Sequence, residues 1–181
     1  MTDADQFEAF VRRYQDMVFA TATRLLGSRV DAEDVAQMVF LRAFQRFDEI
    51  GPSPAAPGWL KTVTRNACLN HLSRHRARWR LFSDMGRRER DGSETAYETT
   101  LVSTESPALD LEKADQHERL ERALLRLPDH QRVPLVLFHF ENAGYREIAD
   151  VLGVSIAKVK TDIHRGRAAL RLYLSDHHGS R

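Results

Sequence analysis

Residues 145–171 read YREIADVLGVSIAKVKTDIHRGRAALR, and this stretch decides the fold of the C-terminal part of the chain. One apolar stripe marks its first helix: Ile148, Ala149 and Leu152. Gly153 then permits a tight turn, and Ser155 is a natural N-cap for a second helix. Two helices joined by such a turn are typical of a helix-turn-helix, whose second helix enters the major groove of DNA. The spacing therefore predicts a small helical DNA-binding domain.

The second helix of this pair has an inward and an outward face. At about 100° per residue, the inward face holds Ile156, Val159, Ile163 and Leu170. The outward face and its flanks offer candidate contacts to base edges and phosphates: Lys158, Lys160, Thr161, His164, Arg165 and Arg167. Asp162 lies on a flank near the buried side, within helical reach of Lys158 and Arg165, so its carboxylate need not face DNA. The alternative interpretation is an amphipathic surface helix with a charged solvent face.

The N-terminal part of the chain also shows helical patterns. Apolar residues from Phe7 to Leu25 form one stripe, which Gly27 ends. Asp31 is the expected N-cap of a second helix that runs to about Phe47. An irregular loop is predicted over Gly51–Gly58, followed by a third helix from Trp59 to about Arg80.

Helical periodicity fails between residues 82 and 117, where the chain is polar and then acidic. An unstructured stretch of this length is uncommon inside a compact domain, so it predicts a linker. Helical patterns resume with Leu120 and continue after a turn at Pro128. We therefore expect an all-α fold of two small helical domains, residues 1–81 and 118–176, joined by a flexible acidic linker over 82–117.

The net charge of +1 hides an uneven distribution of charge. Residues 59–90 hold nine lysines and arginines against two acidic residues, and residues 155–173 hold five against one. Between these cationic blocks, residues 91–118 hold eight acidic residues against one lysine. A single cysteine, Cys68, excludes an intramolecular disulfide, and no apolar run approaches the roughly 20 residues that span a bilayer. We expect a soluble cytoplasmic protein with no membrane partner.

The third predicted helix mixes cations, amides and aromatic rings. Cations attract phosphates, amides can read base edges, and aromatic faces stack on unpaired bases. The candidate residues for nucleic-acid contact are Trp59, Lys61, Arg65, Asn66, Asn70 and Arg74. The alternative is a solvated basic helix. His71 and His75 are four residues apart, but no acidic or cysteine partner accompanies them, so we expect no metal site.

The helix that begins near Asp31 has two unlike sides. One is apolar and suits a core, whereas the other mixes short polar side chains with two apolar ones: Asp34, Gln37, Met38, Leu41 and Gln45. Apolar residues on a face that should meet water predict a protein contact. The alternative is the ordinary exposure of leucine and methionine on a monomer surface.

Three segments together resemble bacterial RNA polymerase sigma factors of the extracytoplasmic-function (ECF) group. DAEDVAQMVFLRAF at 31–44 is similar to the family's helix for binding core polymerase. GWLKTVTRNACLNHLSRHRAR at 58–78 is similar to its −10 promoter segment. LPDHQRVPLVLFHFENAGYREIADVLGVSIAKVKTDIHRGRAAL at 127–170 is similar to its −35 domain. The resemblance covers nearly the whole chain outside the linker.

The resemblance implies a mechanism of promoter recognition. Core RNA polymerase and promoter DNA are the implied partners. Asp34, Gln37, Met38 and Leu41 would contact the clamp helices of the polymerase β′ subunit, and the helices around the −35 reader would contact the β flap. The 51–58 loop and Asn66, with Asn70 nearby, would capture a flipped −10 base, while Trp59, Lys61 and Arg65 hold the melted strand. The acidic linker would thread the polymerase cleft, and residues from Lys158 to Arg167 would read the −35 element. Many members of the family are held by an anti-sigma factor, which is a further candidate partner.

Some positions depart from the usual family pattern. Met38 stands where an acidic residue is common, Asp162 where an arginine is frequent, and Gly166 where an alanine is frequent. Ala157 and Lys158 replace a frequent Gly-Thr pair. These departures leave the predicted fold unchanged, but the resemblance does not fix the exact −35 sequence, and we predict that Asp162 is a specificity or packing feature.

Two other classes of function are alternatives to the sigma factor. A stand-alone helix-turn-helix regulator would bind duplex DNA without polymerase and would not need the basic helix with its tryptophan and asparagines. An enzyme would need a phosphate loop, a nucleophile motif or a metal cluster, and the sequence has none of these. Cys68 falls within a helix and is expected to pack rather than to catalyse. We therefore expect no enzymatic activity and no cofactor.

Overall fold

The computed structural model describes the backbone of residues 3–74 and 107–175, with side chains from residue 114 onward in the second range. All regular elements in these ranges are helices, which confirms the all-α prediction. In chain order they are α1 Asp3–Leu26, α2 Arg29–Gln45, α3 Phe47–Ile50, α4 Ala56–Arg74, α5 Pro107–Arg126, α6 Asp129–His139, α7 Tyr145–Leu152 and α8 Ile156–Ser175. Within the described residues, no helix is long and apolar enough to cross a membrane.

The first helical region consists of α1–α4, with α1 packed against both α2 and α4. Its core is aliphatic and fully buried, with Val18, Leu25, Val35, Val39 and Leu60 at the centre. The predicted stop of α1 is confirmed, because Gly27 adopts a left-handed φ of +67° that most residues avoid. Its N–H donates to the Thr23 carbonyl at 2.8 Å, which closes the last turn.

Two boundaries in this region differ from the prediction. The N-cap of α2 is Ser28 rather than Asp31, since the Ser28 hydroxyl accepts from the Asp31 N–H at 3.3 Å. Asp31 instead lies in the first turn, where its charge favours the positive end of the helix dipole. The loop after α3 is shorter than predicted, because α4 begins at Ala56. Pro57 lies in the first turn of α4. Proline is tolerated there because the N–H groups of a first turn have no acceptor within the helix, so the missing N–H costs no hydrogen bond. Of the predicted third helix, residues 75–80 lie outside the described residues.

The second helical region consists of α5–α8. Its first helix begins at Pro107, inside the segment 82–117 that the sequence predicts as a linker; residues 82–106 lie outside the described residues. The helix-turn-helix is confirmed in α7, Gly153 and α8. Gly153 has a φ of +68°, and the Ser155 hydroxyl caps α8 by accepting from the Lys158 N–H at 3.1 Å.

The two regions contact each other directly through α1, α5 and α6. The guanidinium of Arg24 pairs with Glu121 at 2.6 Å and lies 4.7 Å from the centre of the Phe140 ring. Arg132 is buried and donates from Nε to the Arg24 carbonyl at 3.1 Å. The described parts of the two regions are therefore packed against each other.

Candidate nucleic-acid and protein interfaces

The inward face of α8 is formed by four buried residues: Val159, Asp162, Ile163 and Gly166. The prediction is confirmed for Val159 and Ile163, and Leu170 is half-buried. It is wrong for Ile156, which is exposed because it is the first residue of α8 and the buried stripe begins almost one turn later. Gly166 permits a close approach to α6, since a Cβ there would lie 2.9 Å from Leu135 Cδ1.

The six candidate DNA contacts of α8 share one accessible strip. Lys160, Thr161 and His164 are exposed, while Lys158, Arg165 and Arg167 are partly exposed. Several already have partners within the chain. The Thr161 hydroxyl donates to the Ala157 carbonyl at 2.9 Å, and Lys160 Nζ lies 5.6 Å from the centre of the Tyr145 ring.

Arg167 is tied to the neighbouring helix α6. Its Nε donates to Nε2 of His139 at 3.0 Å, and its guanidinium lies 5.6 Å from the centre of the Phe138 ring. The pKa of His139 is lowered, first by burial and then by the charge of Arg167, which keeps the imidazole neutral and able to accept this bond. These contacts fix the direction of a side chain that the sequence predicts on the DNA-facing side.

Asp162 forms a close ion pair inside the helix-turn-helix. Its carboxylate receives hydrogen bonds from Lys158 Nζ at 2.8 and 3.0 Å, one to each oxygen. The pKa of the adjacent His130 is lowered mainly by burial and by Lys158 and Arg165, whereas Asp162 opposes that shift. The helical wheel placed Asp162 near the buried side, but burial itself depends on the close packing of α8 against α6.

The candidate residues on α4 fall into two stripes. Asn66, Asn70 and Arg74 recur every four residues and are exposed, whereas Lys61 and Arg65 form a neighbouring stripe that is partly covered. Trp59 is partly exposed in the first turns of the helix.

The second stripe faces the other helical region. Lys61 Nζ donates to the Phe140 carbonyl at 3.1 Å and lies 4.0 Å from the Glu141 carboxylate, while Arg65 pairs with Glu147 at 3.4 Å. The pKa of Glu141 is raised by burial, an effect that Lys61 and Arg65 partly offset. Two predicted DNA contacts are therefore occupied by carboxylates and a carbonyl of the same chain.

Cys68 and His71 are the other residues of α4 with reactive or metal-binding side chains. Burial, with a smaller contribution from Glu141, raises the pKa of the Cys68 thiol to about 12, so the thiol stays protonated and packs in the core. His71 Nε2 lies 3.7 Å from Asp31 Oδ1. Among the described residues, no cluster of three or more histidine, cysteine or acidic side chains could hold a metal ion, and His75 lies outside those residues.

The outward face of α2 carries an apolar patch. Asp34 and Gln37 are exposed beside Met38, and Leu41 is 59% exposed. The helical period predicts Phe44 on the inner, apolar side of α2, but the structure shows it 58% exposed. Its ring packs edge-on against Phe7 with 5.0 Å between centres, which leaves the rest of the ring in water. Exposed large apolar side chains on one helix face are typical of a protein-binding surface.

Comparison with known proteins gives matches to two family descriptions. Sigma-70 region 2 matches residues 10–78, and Sigma-70 region 4 matches residues 117–170. Together these segments include the described part of α4, all of α7, the turn at Gly153, and α8 as far as residue 170.

Similar proteins extend the match over nearly the whole chain. The ECF RNA polymerase sigma factor SigW of Bacillus subtilis is 28% identical, over 96% of this chain and 91% of its own length. The RNA polymerase sigma-E factor of Streptomyces coelicolor is 32% identical, over 94% of this chain and 87% of its own length. Among solved structures, the sigma factor RpoE of Bartonella quintana, crystallised with the anti-sigma factor NepR, matches with a TM-score of 0.46 and 21% identity, over 93% of this chain and 96% of that one.

Proposed function

The chain belongs to the sigma-70 family of bacterial RNA polymerase sigma factors, in its ECF group, and on that premise we propose how its surfaces divide the work of promoter recognition. A sigma factor of this family binds core RNA polymerase and directs it to promoters. In this division, residues 1–81 bind core polymerase and the −10 element, and residues 118–176 bind the −35 element. Residues 82–117 connect them through the polymerase cleft. We infer that the chain acts in the cytoplasm, where it contributes recognition and leaves RNA synthesis to the core enzyme.

The −35 element is assigned to the accessible strip of α8. An α-helix of this kind fits the major groove, where side chains distinguish base pairs by hydrogen bonds. Thr161, His164 and Arg165 lie at the centre of the strip, so they are the proposed base contacts. Lys160 and Arg167 flank them as phosphate contacts, which position the helix without carrying sequence information. The exposure of these side chains supports the assignment.

The −10 element is assigned to α4 and the loop before it. The exposed amides Asn66 and Asn70 can bond a base edge, and Trp59 offers a face for stacking. Lys61, Arg65 and Arg74 would neutralise phosphates of the melted strand. Extruding a base costs a few kcal/mol, which such a site can offset.

The outward face of α2 is the proposed binding surface for core polymerase, with contacts from Asp34, Gln37, Met38 and Leu41. The observation that carries the whole proposal is the presence, in one chain, of an apolar patch, a basic amide-bearing helix and a helix-turn-helix within segments that match regions 2 and 4. An anti-sigma factor stays a predicted partner on the family resemblance.

The test is in vitro transcription with purified core polymerase, the full chain and a promoter library, with core polymerase alone as the control. Discrete transcripts that depend on the chain, with two shared upstream elements, are the expected result. DNA binding by the chain alone, with no transcripts when core polymerase is present, would instead favour the stand-alone regulator.

A further inference from the structure

A carboxylate occupies a core position of the helix that enters DNA. Asp162 is 4% exposed and lies in the same stripe as Val159, Ile163 and Gly166. An ionised carboxylate in such a place is strongly unfavourable unless a partner compensates for its lost hydration. The partner here is Lys158, one turn earlier on the same helix.

The contact between these two side chains engages the whole carboxylate. The ammonium nitrogen of Lys158 lies 3.0 and 2.8 Å from the two oxygens of Asp162, so one cation faces both oxygens at hydrogen-bond distance. The Lys158 side chain is only 21% exposed, although it lies at the start of the helix, where cations commonly meet phosphates. Near a DNA backbone the pair would act as a neutral unit rather than as a cation.

We propose that Asp162 is a specificity-determining residue of −35 recognition, which acts by holding Lys158 away from the phosphates so that base contacts dominate the affinity of α8. The proposal rests on the function proposed above. Contacts to phosphates strengthen binding to every sequence equally, whereas contacts to base edges separate one sequence from another. Withdrawing one cation therefore weakens non-specific binding more than it weakens binding to the cognate element.

The pair is expected to persist when DNA binds. If Lys158 turned to a phosphate, it would leave a buried carboxylate without compensation, which costs more than one exposed phosphate contact returns. Burial lowers the pKa of the neighbouring His130, so its imidazole is neutral near pH 7 and supplies no countercharge to Asp162, and Arg165 lies on the accessible strip.

The experiment compares variants of the full chain, reconstituted with core polymerase, on promoters that share one −10 element. Binding to the cognate −35 element and to a scrambled one is measured at several salt concentrations. Asp162→Asn keeps the shape of the side chain and removes its charge, which frees Lys158. We expect several-fold tighter binding to the scrambled element, a smaller ratio of cognate to scrambled affinity, and a log–log salt slope steeper by about 1, the value for one additional neutralised phosphate.

Two further variants separate this role from a purely structural one. The double variant Asp162→Asn with Lys158→Met replaces the ion pair by uncharged side chains, and its salt slope and affinity ratio should return to the wild-type values. Lys160→Met removes an exposed cation of the same helix, so it should make the slope shallower by about 1 in the wild-type background. Circular dichroism and thermal melting of each variant show whether α8 is still folded.

Three results would overturn the proposal. An Asp162→Asn variant that is folded and has an unchanged slope and ratio would make the pair a packing feature only. A double variant with a slope shallower than that of the wild type would show that Lys158 already contacts a phosphate. A wild-type chain that binds both −35 elements equally would overturn the −35 assignment of α8 itself, which distinguishes failure of the proposed function from failure of this inference.

Discussion

At the scale of single residues, two glycines with left-handed backbones end helices in very different surroundings. Gly27 and Gly153 have φ values of +67° and +68°. A Cβ at Gly27 would lie 2.4 to 2.7 Å from the guanidinium of Arg132, whereas a Cβ at Gly153 would meet nothing within 4 Å. Arg132 needs that space, because it is buried and donates to the carbonyls of Arg24 and Leu127.

This contrast predicts unequal costs for the same substitution. Gly153→Ala should lower the free energy of unfolding by about 1 kcal/mol, the usual penalty for a left-handed L-residue. Gly27→Ala carries the same penalty and also displaces Arg132 from bonds worth roughly 1.5 to 3 kcal/mol each. Its loss should therefore exceed that of Gly153→Ala by about 1 kcal/mol or more in urea unfolding. Equal losses would mean that Arg132 moves aside without losing its bonds.

The role of Asn66 is also tested at a single side chain. Because Asn66 is exposed and alanine favours helices, Asn66→Ala should not unfold α4. Loss of the amide should reduce open-complex formation by roughly tenfold, if its bonds to an extruded base contribute about 1 to 3 kcal/mol. Permanganate footprinting reports the melted bases, and affinity for core polymerase should not change. Gln15→Ala, an exposed amide on α1, is the control; an effect as large as that of Asn66→Ala would exclude a specific role.

The sequence predicts on which helix face most of these side chains lie, but not how deeply each is buried. Helical angles put the candidate residues of α8 on one accessible strip and Asp162 near the core. They could not show that Asp162 is buried, since this depends on how closely α6 approaches, which Gly166 permits. The sequence shows Gly166 only as a departure from a frequent alanine, because spacing in a sequence carries no information on the partner helix.

At the scale of one element, the two faces of α2 have different roles. One face packs in the core, and the other is the proposed binding surface for core polymerase. Val35, Val39 and Ala43 are buried against α1 and α4, while Met38 and Leu41 face outward. A period of 3.6 residues was enough to predict this division. The prediction that Phe44 faces the core is wrong, because Phe44 lies in the last turn of α2, which ends at Gln45 and extends past the core. A helical period alone does not show where the core ends.

The same contrast between core and surface predicts opposite outcomes for two leucine truncations, one in α1, which packs against α2, and one on the outward face of α2. Leu25→Ala in the core should lower the free energy of unfolding by about 2 to 5 kcal/mol. Leu41→Ala should change it by less than about 0.5 kcal/mol, since the side chain is already in water. Affinity for core polymerase should nevertheless fall about tenfold with Leu41→Ala, as expected for an apolar interface anchor. Urea unfolding and fluorescence anisotropy with labelled chain measure the two effects, and unchanged affinity would remove Leu41 from the interface.

At the scale of the whole molecule, the contact between the two regions conflicts with the DNA contacts proposed for Lys61 and Arg65. Lys61 and Arg65 face the Phe140 carbonyl and the carboxylates of Glu141 and Glu147, so they cannot contact a DNA strand at the same time. The packing has a cost as well, because Arg65 Nε is buried and has no hydrogen-bond partner among the described residues. Local periodicity could not predict this contact, which joins residues 79 to 108 positions apart in the chain. Because the packing leaves Arg65 Nε buried without a hydrogen bond to any described residue, we expect the two regions to separate when core polymerase or DNA binds.

Weakening the packing away from the DNA contacts should therefore release the −10 surface. The pair of Arg24 and Glu121 links the regions at 2.6 Å, with side chains 15% and 25% exposed. Glu121→Gln should weaken the contact by about 1 kcal/mol, a value at the low end for a charged hydrogen bond because the pair is partly hydrated. Glu118→Gln is a matched control, since Glu118 lies on the same helix, is exposed and pairs with Arg122 of that helix.

The free Glu121→Gln chain should have a larger radius of gyration by small-angle X-ray scattering than the wild type. It should also bind a single-stranded −10 oligonucleotide about fivefold more tightly, since 1 kcal/mol corresponds to that factor. Once core polymerase is bound, the difference between the two chains should disappear, because in the proposed function the regions bind separate polymerase surfaces. If Glu121→Gln enlarges the chain but leaves oligonucleotide binding unchanged, the packing does not mask the −10 surface, and Lys61 and Arg65 are not contacts to the melted strand.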